Sequence, residues 1–264
     1  MRQDPAAAGA PRIASLVPSV TELLAALGLA HRLVARTGFC VHPAAALAAV
    51  AKVGGTKDVN LAKLERLSPT HAIVNVDENR LETAQALRRF VPQVIVTHPC
   101  GPEDVDGLIA QLAAAFADEA GVAGRAGALR AELAAELAAT SPAGRPEVPV
   151  LYLIWRDPWM TVARDTYIAR LLARVGWCTL PAVDGGPRGA MRYPALRGDE
   201  PWLADVREVL LSSEPYAFGA VHRAQAQRLC PSARVRLVDG QLLSWHGPRT
   251  AQGLRYLREL AASP

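Results

Sequence analysis

Short apolar segments alternate with amphipathic segments along the chain. Ile13 to Val17, His71 to Val76 and Gln93 to Thr97 are short and apolar in character, as buried strands are. Each leads, after a few polar residues, into a segment whose apolar positions recur every three or four residues, as on one face of a helix. Strands that alternate with helices in this way predict parallel βαβ units and therefore an α/β fold.

The same order of elements occurs twice, on either side of one long helical segment. Val122 to Ala139 has leucines at a spacing of four and no proline, so it predicts an uninterrupted helix. A second series of strands follows, beginning with Val150 to Trp155 and ending with Arg234 to Val238. We therefore expect two α/β lobes with parallel sheets, joined by one long backbone helix. The predicted segments are a flexible leader (1–11), an amino-terminal lobe (12–120), the connecting helix (121–143) and a carboxyl-terminal lobe (144–264).

The start of the first helix carries a capping signal. Ser19 is followed three residues later by Glu22, and Gly28 follows the last apolar position. A serine and a glutamate at this spacing predict a capping box, with Ser19 as N-cap and the glycine ending the helix.

Composition and charge exclude several classes of protein. Half of the 264 residues are hydrophobic and 20% are charged, which is typical of a globular protein. The 29 basic and 25 acidic residues are scattered, so we expect no nucleic-acid partner. The amino terminus lacks an apolar stretch of the length found in signal peptides, which predicts a cytoplasmic protein. The four cysteines are too far apart for a CxxC pair and are expected to pack as small apolar residues: Cys40, Cys100, Cys178 and Cys230.

Aromatic and charged residues are concentrated where the predicted strands end. In open parallel sheets, ligands bind beyond the carboxyl ends of the strands. Five segments occupy these positions: Phe39 to His42, Asp77 to Arg80, Trp155 to Trp159, Glu214 to Tyr216 and Trp245 to Arg249. Aromatic rings beside arginine suit a large flat ligand that carries amide or acid groups. The alternative is that these rings only cap the cores of the two sheets.

Catalytic and metal-binding interpretations have less support. The chain has no GxGxxG, no Walker loop and no GxSxG, so we expect a protein that is not an enzyme and has no catalytic cofactor. A metal ion with His42 or His246 as ligand is a weaker alternative, because no HxH, HxxxH or HExxH spacing is present. A cytosolic enzyme or sensor is a further alternative, supported only by the polar loop Asp77 to Arg80.

Six motifs, taken in order, resemble those of helical-backbone substrate-binding proteins, and most closely the cobalamin-binding proteins of ABC importers. They are SLVPSVTELLAALGL, GFCVHP, KVGGTK, LYLIWRDPWMTV, SSEPYAF and VDGQLLSWHGPR. The resemblance extends from about Arg12 to the end of the chain. It implies two lobes joined by a rigid helix, with cobalamin, haem, a siderophore or a metal ion bound in a cleft between them.

The resemblance also implies roles for particular residues. It places Phe39 against a corrin in the first lobe, Trp159 or Met160 and Tyr193 in the second, and Trp245 with Arg249 in the last loop. Together with the strand-exit positions, the predicted ligand-binding set is Phe39, Glu78, Arg80, Trp155, Trp159, Tyr193, Tyr216, Trp245, His246 and Arg249. The VDENR loop departs from the family pattern because it has no tryptophan.

Partners and location are implied in the same way. The resemblance implies a monomer that delivers a small molecule to an ABC permease, with Glu82 and either Asp199 or Glu200 matching the docking carboxylates approximately. It also implies a periplasmic or cell-surface location, as the alternative to the cytoplasmic one.

Overall fold

The computed structural model describes residues 9–263 and contains two compact units. Residues 1–8 of the predicted leader, and residue 264 of the predicted second lobe, lie outside the described residues. Unit one comprises the residues up to His98 together with Gly107–Arg130. Unit two comprises Pro99–Asp106 and the residues from Ala131 onward.

Unit one is built on a parallel sheet of five strands. These are β1 (Ile13–Ser15), β2 (Leu33–Arg36), β3 (Ala51–Lys52), β4 (His71–Asn75) and β5 (Gln93–Thr97), in the order β3-β2-β1-β4-β5. The helices that follow its strands are α1 (Pro18–Ala26), α2 (Ala44–Leu47), α3 (Leu61–Arg66), α4 (Leu81–Leu87) and α5 (Asp104–Ala115). Leu16, Val74 and Leu87 are buried in the core on one side of this sheet. The predicted β5 is confirmed at both ends.

The long predicted helix is confirmed as α6 (Val122–Ala139). The division between the two units falls within it, after Arg130. We keep the sequence-based domain limits, with α6 as the connecting segment, as a proposal.

Unit two is built on a parallel sheet of four strands. These are β6 (Val148–Leu153), β7 (Trp177–Thr179), β8 (Glu208–Ser212) and β9 (Arg234–Val238), in the order β7-β6-β8-β9. Its helices are α7 (Tyr167–Ala173), α8 (Arg223–Leu229), α9 (Gly240–Ser244) and α10 (Arg249–Ala262), with 3-10 turns at Ala190–Arg192, Pro201–Asp205 and Ala220–His222. The apolar ends of β6 and β8 are buried, as expected for the central strands of a parallel sheet. The α/β fold with two parallel sheets is thus confirmed.

The second half of α6 packs on α10 through charge pairs. Glu136 accepts hydrogen bonds from Arg255 at 2.8 Å and from Arg258 at 2.7 Å. Burial alone would raise the pKa of Glu136, but the bonds from the two arginines outweigh it and hold the pKa below its ordinary value. The pairs thus tie this part of α6 to the last helix of unit two.

The predicted capping box at Ser19 is wrong. Helix α1 begins two residues earlier, with Val17 as N-cap and Pro18 in the first turn, and no side chain caps it. Proline suits this position because its ring fixes a helical φ and its missing N–H needs no partner there. The prediction that Gly28 ends the helix is confirmed, since Gly28 follows its last turn with a φ of +84°.

All four cysteines are free thiols. Cys40 and Cys230 are buried, as expected for small apolar residues, whereas Cys100 and Cys178 are half-buried. Burial raises the pKa of Cys230 to about 11, which keeps this thiol protonated at neutral pH. Among the described residues, no helix is both long and apolar enough to cross a membrane.

Candidate ligand-binding site

Unit two carries a group of aromatic side chains at the carboxyl ends of β6 and β8. These strands are parallel neighbours, so their exit loops lie side by side. We call the following residues the aromatic cluster: Trp155, Trp159, Tyr216, Phe218 and His222, with Arg156 beside them. The first two follow β6 and the next two follow β8.

The rings of the aromatic cluster contact one another in sequence. The Trp155 ring lies edge-on to Tyr216 at 5.6 Å between centroids, and Tyr216 lies 4.7 Å from Phe218. Phe218 in turn stacks on Trp159 at 5.8 Å, with only 7° between the ring planes. The Arg156 guanidinium lies 4.5 Å from the Trp159 ring centroid, in cation–π geometry. The cluster therefore combines a continuous chain of ring contacts, which passes through the buried Phe218, with a cation.

Backbone hydrogen bonds hold the loop after β6 in place. Ile154 N–H donates to the Met160 carbonyl at 3.0 Å, and Met160 N–H donates back to Trp155 at 3.2 Å. Leu196 N–H donates to the Trp159 carbonyl at 2.8 Å, which joins this loop to the segment after β7. Because the loop is fixed by its own backbone, the two tryptophans need little reordering to meet a ligand.

Apolar side chains exposed in unit two occur in strand-exit loops. Trp155 is 41% exposed in the loop after β6, Met191 is 70% exposed after β7, and Val221 is 77% exposed after β8. Trp159 and Tyr216 are half-buried, and only Phe218 is buried. Exposed apolar groups gathered at one edge of a sheet mark a binding surface more readily than scattered ones do.

Tyr193 follows a buried charge pair that sequence reasoning missed. Arg192 is 1% exposed and donates to the Gly186 carbonyl at 2.7 Å, and its guanidinium lies 3.4 Å from the Asp165 carboxylate. The same carboxylate accepts from the Gly185 N–H at 2.8 Å. Tyr193 itself is half-buried. The Arg192–Asp165 pair holds the loop after β7 in place and therefore fixes the position of Tyr193, the next residue in the chain.

Electrostatics at this pair favour the charged forms. Burial alone would raise the pKa of Asp165, but the hydrogen bond from Gly185 and the charge of Arg192 outweigh it and lower the pKa below its ordinary value. Asp165 is therefore ionised at neutral pH, as a neighbour of a buried guanidinium must be.

Trp245 and His246 lie in the interior and do not form an exposed wall. They are 8% and 6% exposed, whereas Arg249 is half-buried and lies 5.1 Å from the Trp245 ring centroid. The indole N–H of Trp245 donates to Glu214 at 2.8 Å, and His246 lies edge-on to Tyr167 at 5.9 Å. Helix α9 separates these residues from β9, so they do not leave the strand directly. Their role as ligand contacts stays a prediction.

In unit one, Phe39 is the exposed aromatic residue that the sequence predicted at a strand exit. Its side chain is 63% exposed and lies against Gly55, where a Cβ would be 3.4 Å from the ring. The buried guanidinium of Arg36 fixes the loop by donating to the carbonyls of Cys40 at 2.9 Å and Leu47 at 3.2 Å. The exposed Phe39 ring therefore projects from a loop that the Arg36 hydrogen bonds hold in place.

The loop containing Glu78 and Arg80 is held by two buried asparagines. Asn75 Oδ1 accepts from the Glu78 N–H at 3.3 Å, and Asn79 Nδ2 donates to the Thr56 carbonyl at 2.9 Å. Glu78 is half-buried, and the exposed Arg80 pairs with Asp58 at 3.0 Å. A surface pair of this kind contributes about 0–1 kcal/mol, so it leaves Arg80 able to exchange partners.

The structure offers no metal-ion site among its described residues. Within residues 9–263, no group of three or more His, Cys, Asp or Glu side chains could hold a metal ion. His42 is half-buried beside Pro43, and His246 is packed as described above.

Unit two also contains an arginine-lined pocket. Its volume is about 400 Å³, and its walls include Arg223, Arg234 and Arg236. Two of the three are engaged in holding the last residues, since both donate to the Ser263 carbonyl, at 3.2 and 2.9 Å, and pair with Glu208. We assign this pocket a structural role.

Strand-exit aromatics on fixed loops, in units built on parallel sheets, define a small-molecule-binding protein. The chain belongs to the periplasmic binding protein family, whose model matches residues 13–180. This confirms the resemblance to substrate-binding proteins, which are not enzymes.

Three of the solved structures with this fold are proteins that bind vitamin B12 or haem. The periplasmic vitamin B12-binding protein BtuF of Vibrio cholerae has a TM-score of 0.79 at 21% identity, over 96% of this chain and 98% of that one. The periplasmic haem-binding protein HutB of Vibrio cholerae has a TM-score of 0.75 at 23% identity, over 96% and 99%. The periplasmic haem-binding protein RhuT of Roseiflexus sp. RS-1 has a TM-score of 0.73 at 23% identity, over 96% and 98%. No curated protein matches the sequence.

Proposed function

We propose that this protein binds a cobalamin-like corrinoid, which it contacts with the aromatic cluster. The observation that carries the proposal is the run of ring contacts from the exposed Trp155 through Tyr216 and Phe218 to Trp159, with Arg156 beside it. A corrin is a broad macrocycle with amide side chains around its rim. Aromatic rings can pack on its apolar face while a guanidinium donates to its amide oxygens.

Residues of unit one extend the proposed contact set. Phe39 offers a second exposed ring on a fixed loop, while Glu78 and Arg80 offer polar groups at another strand exit. Tyr193, Trp245, His246 and Arg249 complete the set proposed from the sequence.

Haem is the second candidate ligand. It is supported by HutB and RhuT, which bind haem and match this chain about as well as BtuF does. Its two carboxylates would also suit Arg156, because guanidinium and carboxylate form charge-assisted hydrogen bonds. A metal ion or a siderophore chelate held by His42 or His246 gains no support from the described residues.

We further propose a periplasmic or cell-surface location and an ABC permease as partner. The family description and the neighbours named periplasmic support this location rather than the cytoplasmic one expected from the sequence. A binding protein outside the membrane needs a permease to pass its ligand inward.

The proposal is tested by titrating the purified protein separately with cyanocobalamin and haemin, followed by calorimetry and by the visible spectrum of each compound. Saturable one-to-one binding of cyanocobalamin, tighter than that of haemin, is the expected result. Preference for haemin would replace the corrinoid by the second candidate, and binding of neither would overturn the proposal.

We expect Trp155→Ala to weaken binding of the preferred compound about tenfold. Loss of an aromatic contact removes about 0.5–1.5 kcal/mol beyond its buried area, and a factor of ten corresponds to about 1.4 kcal/mol. Val96→Ala is the matched control, because Val96 is also an exposed apolar side chain, at 38%, but lies within β5. Equal affinity of both variants, measured by calorimetry, would remove Trp155 from the site.

A further inference from the structure

His222 has a hydrogen bond at each ring nitrogen. The Gly219 backbone N–H donates to Nδ1 at 2.9 Å, and the Tyr216 hydroxyl lies 3.2 Å from Nε2. The ring is also held edge-on between Tyr216 at 5.4 Å and Phe218 at 5.3 Å.

The bond at Nδ1 determines which nitrogen of the neutral ring carries the proton. A backbone N–H can only donate, so Nδ1 must present its lone pair. Neutral imidazole has one N–H, which is then on Nε2 and faces the Tyr216 oxygen. The hydroxyl oxygen accepts a hydrogen bond from this N–H, so its own O–H must be directed to another acceptor.

We propose that His222 is a positioning residue that sets the Tyr216 hydroxyl as a hydrogen-bond donor to the ligand. The acceptor is a carboxylate or amide oxygen on the rim of the macrocycle. The inference rests on the proposed function for its ligand, but not for the arrangement of His222, Gly219 and Tyr216. Tyr216 is half-buried, so water can accept from its hydroxyl in the free protein. A ligand that covers this hydroxyl must supply an acceptor in place of water, because a buried donor left without a partner costs about 1–3 kcal/mol.

The arrangement is tested first without ligand. In protein labelled with ¹⁵N-histidine, proton–nitrogen correlation spectra at about pH 8 distinguish the two tautomers. We expect the Nε2–H form for His222, assigned by comparison with the His222→Asn variant. A dominant Nδ1–H form would overturn the inference whatever the protein binds.

The role of His222 in binding is tested with two variants. One keeps the acceptor at the Nδ1 position and the other keeps the donor at the Nε2 position. Asparagine supplies an acceptor near the Nδ1 position, whereas the amide nitrogen of glutamine supplies a donor near Nε2. With whichever of cyanocobalamin and haemin binds the native protein, we expect Tyr216→Phe to weaken affinity about tenfold. We expect His222→Asn to weaken it about fivefold and His222→Gln to restore most of that loss. Thermal melting of each variant checks that the fold is retained.

A double-mutant cycle separates positioning from packing. If His222 acts through the hydroxyl, His222→Asn has no further effect on affinity when combined with Tyr216→Phe. An equal loss in both backgrounds would show that His222 only packs against its neighbours, and would overturn the proposal. If neither compound binds the native protein, the proposed function is wrong, and so is the proposed hydrogen bond from Tyr216 to the ligand. The tautomer measurement still shows whether His222 orients the Tyr216 hydroxyl.

Discussion

Replacing Gly253 by alanine is expected to destabilise unit two by more than about 3 kcal/mol. Gly253 is buried in α10, and a Cβ there would lie 2.1 Å from the carbonyl oxygen of Leu242 in α9. That oxygen belongs to the backbone, so relief requires the two helices to separate. Such overpacking costs more than the rearrangement of a flexible side chain. Urea denaturation followed by far-ultraviolet circular dichroism measures the change.

Gly127→Ala provides the matched control for this substitution. Gly127 is also a helical glycine, but it is exposed on α6 and a Cβ there meets nothing within 4 Å. Alanine is the better helix former by about 0.5–1 kcal/mol, so this variant should be as stable as the native protein or more so. Equal denaturation midpoints for the two variants would contradict the close packing of α9 on α10.

Asp165→Asn is expected to cost about 3 kcal/mol of stability at neutral pH. The substitution removes the Asp165 carboxylate from the guanidinium of Arg192, which is 1% exposed, and breaking one side of a buried pair costs about 3–5 kcal/mol. The lower end of that range applies because the Asp165 side chain is 17% exposed and Arg192 keeps its bond to the Gly186 carbonyl. The free energy of unfolding of both proteins measures the loss.

The cost of Asp165→Asn should depend on pH in a defined direction. The pKa of Asp165 is lower in the folded protein than its ordinary value, so the folded state favours the ionised carboxyl. Its contribution is therefore complete above about pH 5 and is lost as the pH falls below about 4, where the carboxyl gains a proton. The stabilities of the native protein and the variant should converge at low pH. A difference independent of pH down to about 2 would show that the carboxylate charge contributes nothing.

The regular parts of the fold were predictable because their sequences carry the appropriate period. The predicted limits of α6, β5 and β9 coincide with those in the structure. Strands β3 and β7 have only two and three residues, too few to show alternation, and the five residues of α9 are too few to show a helical period, so all three were missed. Helix α9 did have one local signal, since Asp239 caps it by accepting from the Gln241 N–H at 2.9 Å.

The sequence predicted which residues belong to the candidate site, but not which of them contact one another. Trp155, Trp159 and Tyr216 were predicted because they follow strands, and a parallel sheet brings the ends of its strands to one edge. Their pairing depends on β6 and β8 being neighbours although β7 lies between them in the chain. The interior position of Trp245 was not predictable, since its hydrogen-bond acceptor, Glu214, is 31 residues away. The burial of Arg192 was not predictable for the same reason, since its partner Asp165 is 27 residues earlier in the chain.

The most direct test of the account is fluorine NMR of protein labelled with 5-fluorotryptophan. The five tryptophans give five signals, each assigned by a Trp→Phe substitution. Cyanocobalamin and zinc protoporphyrin, both diamagnetic, are then added in turn. We expect saturating amounts of the bound compound to shift the signals of Trp155 and Trp159 and to leave that of Trp177, buried in β7, unchanged. Saturable binding that leaves the signals of Trp155 and Trp159 unchanged would contradict the proposal that the aromatic cluster forms the binding site.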